Sequence, residues 1–503
     1  MKLPRALQSN FLVYIIIIFG IYDVFEGLSH LTLNTADAST YLNIAENVVS
    51  HRGFVVSFNL YQFFTTHYHP IWPYIQPVFP LLCALVFMAH GGIVQVIQTN
   101  IFILGLNAAL IFYILQVYIP NRLNILFLVW LIFSPNVFYS SMFAWTEQSY
   151  LFLYLISFII FLRWSHVTKA IFWIGTLNGV LFLARAAHVY CLVPYALMIL
   201  WGEGSVSQRL KRALLFTGGF LLVVGAYQWI NYTVYHSFYP EYLKPAVGYT
   251  QARISSLSTY RDGYAGLYDP LGEKFRFIYL YRHLVEFFKF VFIFFIPVVA
   301  YLCLTRRKRE GHYFLFNCVS KSIFIIGGYS LSLGWEASTE FLRYSLVPFI
   351  LSALAGWFCV REVLLADGIK WKEIGVAVMI GLLALITVHH FFENRRYFMT
   401  HPRSKDIYFI ELYQAYRWID KNLPPDVLVA SDEDQEGYFL HRPYISMPPG
   451  KSYNCTNVAL FNARYQPDYY VQTWPADDKC FSSIPHSKVF SNPGFTVLKV
   501  KKN

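Results

Sequence analysis

The feature that most restricts this chain is a recurrence of apolar runs, many of them close to 20 residues long, separated by short polar links from Phe11 to Phe391. A hydrocarbon core about 30 Å thick takes about 20 helical residues to cross. Inside it a backbone N–H has no water to bond, so a spanning segment must satisfy its own hydrogen bonds. The runs therefore read as membrane helices at 11–30, 98–118, 123–141, 148–163, 171–184, 187–201, 213–236, 284–304, 313–333, 344–360 and 373–391. Composition agrees: 56% of the 503 residues are hydrophobic and 14% are charged, outside the range of water-soluble domains. The segment 74–90 is also apolar but brief, and Pro73, Pro77 and Pro80 crowd its start, which suits a re-entrant or interfacial piece. Lys2 and Arg5 precede the first run as they would in a signal peptide, but the run continues past Gly20 to Asp23 and Glu26 without a small-x-small cleavage site. It reads as a retained helix.

The formal charge of +11 is not a nucleic-acid footprint, because the basic residues sit in small clusters between apolar runs instead of along one face. With 74–90 not crossing, the links holding Lys2 and Arg5, Arg122, Arg163 and Lys169, Arg209 to Arg212, Arg306 to Arg309, and Arg361 to Lys372 all fall on one side. That side is cytoplasmic by the positive-inside rule. The longer polar segments 31–73, 237–283 and 393–503 then lie outside the cytoplasm. In the first, Tyr41, Ile44, Ala45 and Val48 follow helical spacing after Asp37-Ala38-Ser39-Thr40. The tail changes character, with a helix at Tyr413 to Asn422 and strands at Asp426 to Ala430 and Phe495 to Val500. The fold class expected is all-α and polytopic, with about 11–13 transmembrane helices and a small extracytoplasmic α/β C-terminal domain. Cys83, Cys191, Cys303, Cys318 and Cys359 lie in or beside apolar runs and read as small hydrophobes. Cys455 and Cys480, 25 positions apart in the tail, can pair if the tail faces an oxidising compartment. No P-loop or G-x-G-x-x-G fingerprint is present, and Asn454-Cys455-Thr456 is a short match to a glycan acceptor.

The residues that can carry chemistry collect at the outer ends of the runs. Asp37 follows the first helix; a carboxylate part-buried at a membrane boundary suits proton removal, and it equally suits an N-cap for the next helix. Glu147 opens the run after Trp145-Thr146 on the same face. Two converging acids can hold a divalent cation or divide base and orienting roles, while a lone first-turn acid is what the helix dipole favours. Arg185, between two apolar runs in Leu183-Ala184-Arg185-Ala186-Ala187-His188, is either a functional charge or a side chain reaching to the interface. Glu340, Arg343 and Tyr344 open a later run, where a guanidinium suits a phosphate and a Glu340–Arg343 pair is the plainer reading. His67 and His69 form an H-x-H pair without a third fixed ligand, which fits interfacial packing as well as a metal.

In order along the chain, these landmarks resemble the GT-C superfamily of polytopic glycosyltransferases, especially the branch of protein O-mannosyltransferases and the lipid A aminoarabinose transferase. The matching stretches are Thr35-Ala36-Asp37-Ala38-Ser39-Thr40-Tyr41, His51-Arg52-Gly53-Phe54, the proline-bearing Pro70 to Pro80, Ser134-Pro135-Asn136 with Thr146-Glu147, Leu183-Ala184-Arg185, and Phe341-Leu342-Arg343-Tyr344 with Pro348. The resemblance implies a transferase domain at 1–392, an external domain at 393–503, and a bacterial plasma membrane. It also implies a polyprenyl-phosphate-linked sugar donor and a lipid, glycan or protein acceptor. By the same resemblance Asp37 and Glu147 are the catalytic acids, and Arg185 and Arg343 lie near the carrier phosphate. Tyr41, His69, Glu340 and Tyr344 are the further candidates for substrate binding. Many relatives have two adjacent acids where this chain has Asp37-Ala38, so a lone base is the simpler expectation and a divalent cation is left open. The rival from another class is a transporter or a flippase for lipid-linked sugars. Such carriers place ionisable groups near the midplane and show inverted repeats, whereas the charges singled out here cluster at one face.

Overall fold

The computed structural model describes residues 11–28, 36–56, 58–60, 76–120, 123–141, 146–202, 204–235, 309–332, 346–365, 381, 385, 388–389, 406–431, 442–446, 461–463, 465–473, 481 and 484–501. Its helices, in chain order, are α1 Phe11–Leu28, α2 Ala36–Val49, α3 Val78–Met88, α4 Ile93–Tyr118, α5 Asn124–Ile132, α6 Pro135–Ser141, α7 Glu147–Trp164 and α8 Thr168–Ala184. They continue with α9 Val189–Trp201, α10 Val206–Tyr235, α11 Arg309–Ser332, α12 Leu346–Leu365 and α13 Asp406–Asn422. The strands are β1 Phe58–Leu60, β2 Val429–Ser431, β3 Tyr444–Ser446, β4 Tyr469–Thr473, β5 His486–Ser491 and β6 Phe495–Val500. The chain forms two compact units: Met1–Ser29 with Ile97–Tyr227 and Leu271–Tyr397, and His30–Val96 with Gln228–Pro270 and Phe398–Asn503.

The described residues of the first unit are mainly helical, and most of the apolar runs read from the sequence appear among them as helices near the expected positions. The run at 123–141 is an exception. It breaks into α5 and α6 at Pro135, because proline disfavours helical backbone at the residue before it and fits the first position of a new helix. Ser134 closes the break by donating its hydroxyl to the Leu131 carbonyl at 2.6 Å. The runs at 284–304 and 373–391 lie outside the described residues, apart from four positions in the second. Among the described residues, Ile93–Tyr118 and Val206–Val234 are long and apolar enough to cross a bilayer. They sit differently: 61% of the apolar window is buried in the first helix and 11% in the second. So α4 is an interior helix, while α10 turns Leu210, Leu214, Leu221 and Leu222 outward.

Two devices hold the helices together. The first is close approach at glycine. Gly175 and Gly179 lie four apart on α8, and a methyl group at Gly175 would collide with the Phe216 carbonyl oxygen of α10. At Gly179 it would meet the Val223 Cβ at 2.7 Å, and at Gly219 it would strike the Phe172 carbonyl. Small residues at this spacing let backbones touch, which replaces the hydrophobic drive that lipid cannot supply. The second device is buried amide bonding across helices. Asn107 of α4 donates to both the backbone carbonyl and the side-chain oxygen of Gln148 at 3.0 and 2.9 Å, and Gln148 donates on to Ser140 of α6 at 2.7 Å. Trp357 of α12, stacked on Phe127 at 4.7 Å, donates its indole N–H to Asn124 at 2.8 Å. Lys321 of α11 is fully buried. Its ammonium lies 3.5 Å from the Tyr195 ring centroid and 5.0 Å from those of Phe158 and Phe161, without a hydrogen-bond partner among the described residues.

In the second unit α2 packs on α3, with the rings of Tyr41 and Phe79 edge to face at 5.1 Å. The 11 residues of α3 rise about 16 Å. A six-stranded sheet runs in the order β1-β3-β2-β4-β6-β5. Its first four strands are parallel, and β6 is antiparallel to both β4 and β5. Ala430, Ile445, Tyr470 and Leu498 face a core closed by Phe461 and Phe481, and burial pushes the Tyr470 phenol above its usual range. On this sheet α13 stacks Trp418 on Phe490 at 5.2 Å. The expected β6 is found at its expected position, while β1 comes from the first long loop and was not among the expected strands. Cys83, Cys191, Cys318 and Cys359 are buried free thiols; Cys303, Cys455, Cys480 and Asn454 lie outside the described residues.

Two stability tests follow from this packing. Gly175→Ala and Gly219→Ala should each cost at least about 2 kcal/mol by overpacking. Gly218→Ala and Gly225→Ala, where nothing lies within 4 Å, should instead gain a few tenths of a kcal/mol, up to about 1, from helix propensity. Thermal unfolding in detergent reads both, and equal effects at the two pairs of sites would refute the close approach of α8 and α10. Lys321→Met removes a buried ammonium whose packing is aromatic, so its unfolding midpoint should stay level or rise by the equivalent of about 1–3 kcal/mol. A fall would mean that the ammonium stabilises the fold.

Candidate functional site

Two of the charges read from the sequence, Glu147 and Arg185, meet in the helical unit where α7 begins and α8 ends. Thr146 precedes α7 but does not cap it. Its hydroxyl is instead donated to the Ala184 carbonyl at the end of α8, at 3.2 Å, which satisfies an acceptor that the helix terminus leaves open. The next residue on each strand of this contact is charged. Arg185 Nη1 donates to Glu147 Oε1 at 2.8 Å, with the carboxylate fully buried and the guanidinium nearly so. Each charge lies at the helix end whose dipole favours it, the acid at an N-terminus and the base at a C-terminus. Such a pair suits the low-dielectric interior only when both partners are present, since either alone is an uncompensated buried charge.

Arg185 can reach Glu147 because the chain is not helical there. Its backbone is extended at φ −157° and ψ 117°, and a single 3-10 turn, Ala186–His188, connects α8 to α9. The His188 N–H closes that turn on the Arg185 carbonyl at 2.9 Å. The His188 ring is buried and bonded at both nitrogens, Nδ1 to the Tyr150 hydroxyl at 2.9 Å and Nε2 to Asn178 Oδ1 at 2.7 Å. Asn178 in turn donates its amide to the Ile174 carbonyl at 2.7 Å and to Ser157 at 3.2 Å, and Ser157 bonds the Tyr195 hydroxyl at 3.2 Å. This polar chain joins α7, α8 and α9 and ends at the ring over which Lys321 sits.

The structure thus brings Glu147 and Arg185 together; the other candidates belong to the second unit or lie outside the described residues. Asp37 is the second residue of α2, inside the helix and not its cap; its side chain lies outside the described residues. Tyr41, four positions on, is buried against Phe79. His69, Glu340, Arg343 and Tyr344 lie outside the described residues. Among the described residues no group of three or more His, Cys, Asp and Glu side chains is placed to hold a metal. The sequence reading passed over His188, Asn178, Ser157 and Lys321. The signal available for them was a polar residue inside an apolar run, which needs a partner in the same layer.

No protein-family model matches this sequence, and no curated protein matches it. Solved structures do. ArnT from Cupriavidus metallidurans bound to undecaprenyl phosphate aligns with 98% of this chain and 98% of its own, at 12% identity and a TM-score of 0.58. The archaeal oligosaccharyltransferase AglB from Archaeoglobus fulgidus, in complex with an inhibitory peptide and a dolichol-phosphate, matches 99% of this chain and 75% of its own, at 13% identity and a TM-score of 0.53. The mycobacterial arabinofuranosyltransferase AftD matches 97% of this chain and 40% of its own, at 11% identity and a TM-score of 0.53. All three are GT-C glycosyltransferases, and the fold of this chain, over nearly its whole length, is the GT-C fold.

Proposed function

We propose that this protein is a polytopic membrane glycosyltransferase that moves a sugar from a polyprenyl-phosphate carrier to an acceptor outside the cytoplasm. The observation that carries the reading is the end-to-end likeness to ArnT, whose structure holds undecaprenyl phosphate. AglB, with its bound dolichol-phosphate, and AftD support the same class of chemistry. The apolar runs, the outward-facing leucines of α10 and the placement of the basic links support a plasma-membrane location with a cytoplasmic N-terminus. In this arrangement 1–392 is the transferase domain and 393–503 an external one. The likeness to three transferases favours this reading over a carrier.

In the proposed step an acceptor oxygen or nitrogen attacks the anomeric carbon from the side opposite the carrier phosphate. The carbon–oxygen bond to phosphate breaks with inversion, and the electron pair leaves with the lipid phosphate. The acceptor's proton passes to the carboxylate of Asp37. As the phosphate changes from diester to monoester its negative charge grows, so a fixed guanidinium nearby stabilises the transition state more than the ground state. Arg185 and Arg343 are assigned that role, and Tyr41, His69, Glu340 and Tyr344 the lining of the substrate groove. Glu147, already engaged with Arg185 at 2.8 Å, is better suited to orienting that arginine than to taking a proton. A dication beside Glu147 would also meet the charge of Arg185, so no step is assigned to a metal. The acceptor is a hydroxyl or amine on a lipid, glycan or protein.

The reading predicts that Asp37→Asn, in purified enzyme given a mixture of polyprenyl-phosphate sugars, lowers transfer by about 100-fold or more with an unchanged unfolding midpoint. Undiminished transfer by a folded variant would remove Asp37 from the mechanism.

A further inference from the structure

Arg185 sits outside regular structure, in extended backbone between α8 and α9. A side chain there holds a fixed direction only if the connecting turn is held. One residue does this from both sides. The backbone N–H of His188 bonds the Arg185 carbonyl, and its buried ring is clamped at both nitrogens by α7 and α8. The direction of each bond can be assigned. Asn178 points its amide nitrogen at the Ile174 carbonyl, so the oxygen facing His188 is an acceptor and the ring proton lies on Nε2. In the neutral ring Nδ1 then accepts from the Tyr150 hydroxyl. Tyr150 belongs to the first turn of α7, three residues after Glu147, so the ring ties the turn carrying Arg185 to the turn carrying its partner. Behind it, Asn178, Ser157 and Tyr195 continue the bonding to the ring beneath Lys321.

We propose that His188 is a positioning residue for Arg185: clamped between Tyr150 and Asn178, it fixes the break between α8 and α9 so that the guanidinium stays aimed at the position of the carrier phosphate. The proposal rests on the functional reading above. It assigns His188 no contact with substrate and no proton transfer. What it supplies is preorganisation, and a misplacement of about 1 Å is enough to weaken a fixed electrostatic contact severely.

The test is the affinity of purified, detergent-solubilised protein for undecaprenyl phosphate, read beside the unfolding midpoint. His188→Gln can donate to Asn178 and accept from Tyr150, and should bind within about twofold of the native protein. Tyr150→Phe removes one clamp without changing volume and should weaken binding about threefold. His188→Leu should weaken it about tenfold, and the double variant His188→Leu with Arg185→Ala should bind no worse than Arg185→Ala alone. Independent, multiplying losses in the double variant would overturn the proposal, as would native affinity in a folded Tyr150→Phe or His188→Leu protein. If the native protein itself binds no undecaprenyl phosphate, the functional reading fails; if it binds and the His188 and Tyr150 variants bind equally well, only the positioning role fails.

Discussion

The ion pair between Glu147 and Arg185 is the constraint from which the rest of the site takes its form. Two opposite charges 2.8 Å apart inside a helical unit are tolerable only if each compensates the other and the geometry is held. The neighbouring residues supply that hold. Thr146 secures the end of α8, Gln148 is bonded to Asn107 of α4, and Tyr150 and Asn178 grip His188. The pair also explains why α8 and α9 are two helices. A continuous helix through residue 185 would not have the extended backbone from which Arg185 reaches the first turn of α7.

Helix packing around this pair does not rely on apolar burial alone. Glycines at 175, 179 and 219 bring α8 and α10 into backbone contact, while buried amides and hydroxyls bond from helix to helix. Both devices work where the surroundings are hydrocarbon and apolar side chains gain nothing by leaving them. The second unit is built differently. Its core is a mainly parallel sheet with aromatic filling, and it recruits β1 from the first long loop, so that the loop following Asp37 and the C-terminal tail share one sheet.

Much of this was legible in the sequence. Apolar runs marked where helices lie, with ends up to seven residues from those observed, because the period and length of a run are local properties. Arg185 stood out as a charge between two runs, and the strand-forming residues of Phe495 to Val500 were enough to mark β6. The break at Pro135 had a local signal that the length of the run outweighed. Other features had none. That Arg185 bonds Glu147, 38 positions away, depends on α7 and α8 lying side by side, and β1 becomes a strand only through its pairing with β3. His188 and Lys321 lie among apolar residues, where a single polar side chain carries no local sign of the partner it meets.

The central claim is that a fixed cation in this fold recognises the phosphate of a polyprenyl carrier. Native mass spectrometry of the purified protein with undecaprenyl phosphate and with undecaprenol of the same chain length tests it directly. The account predicts a saturable complex with the phosphate that the neutral alcohol neither forms nor displaces. Equal binding of both lipids would mean that only the hydrocarbon tail is recognised, and would contradict it.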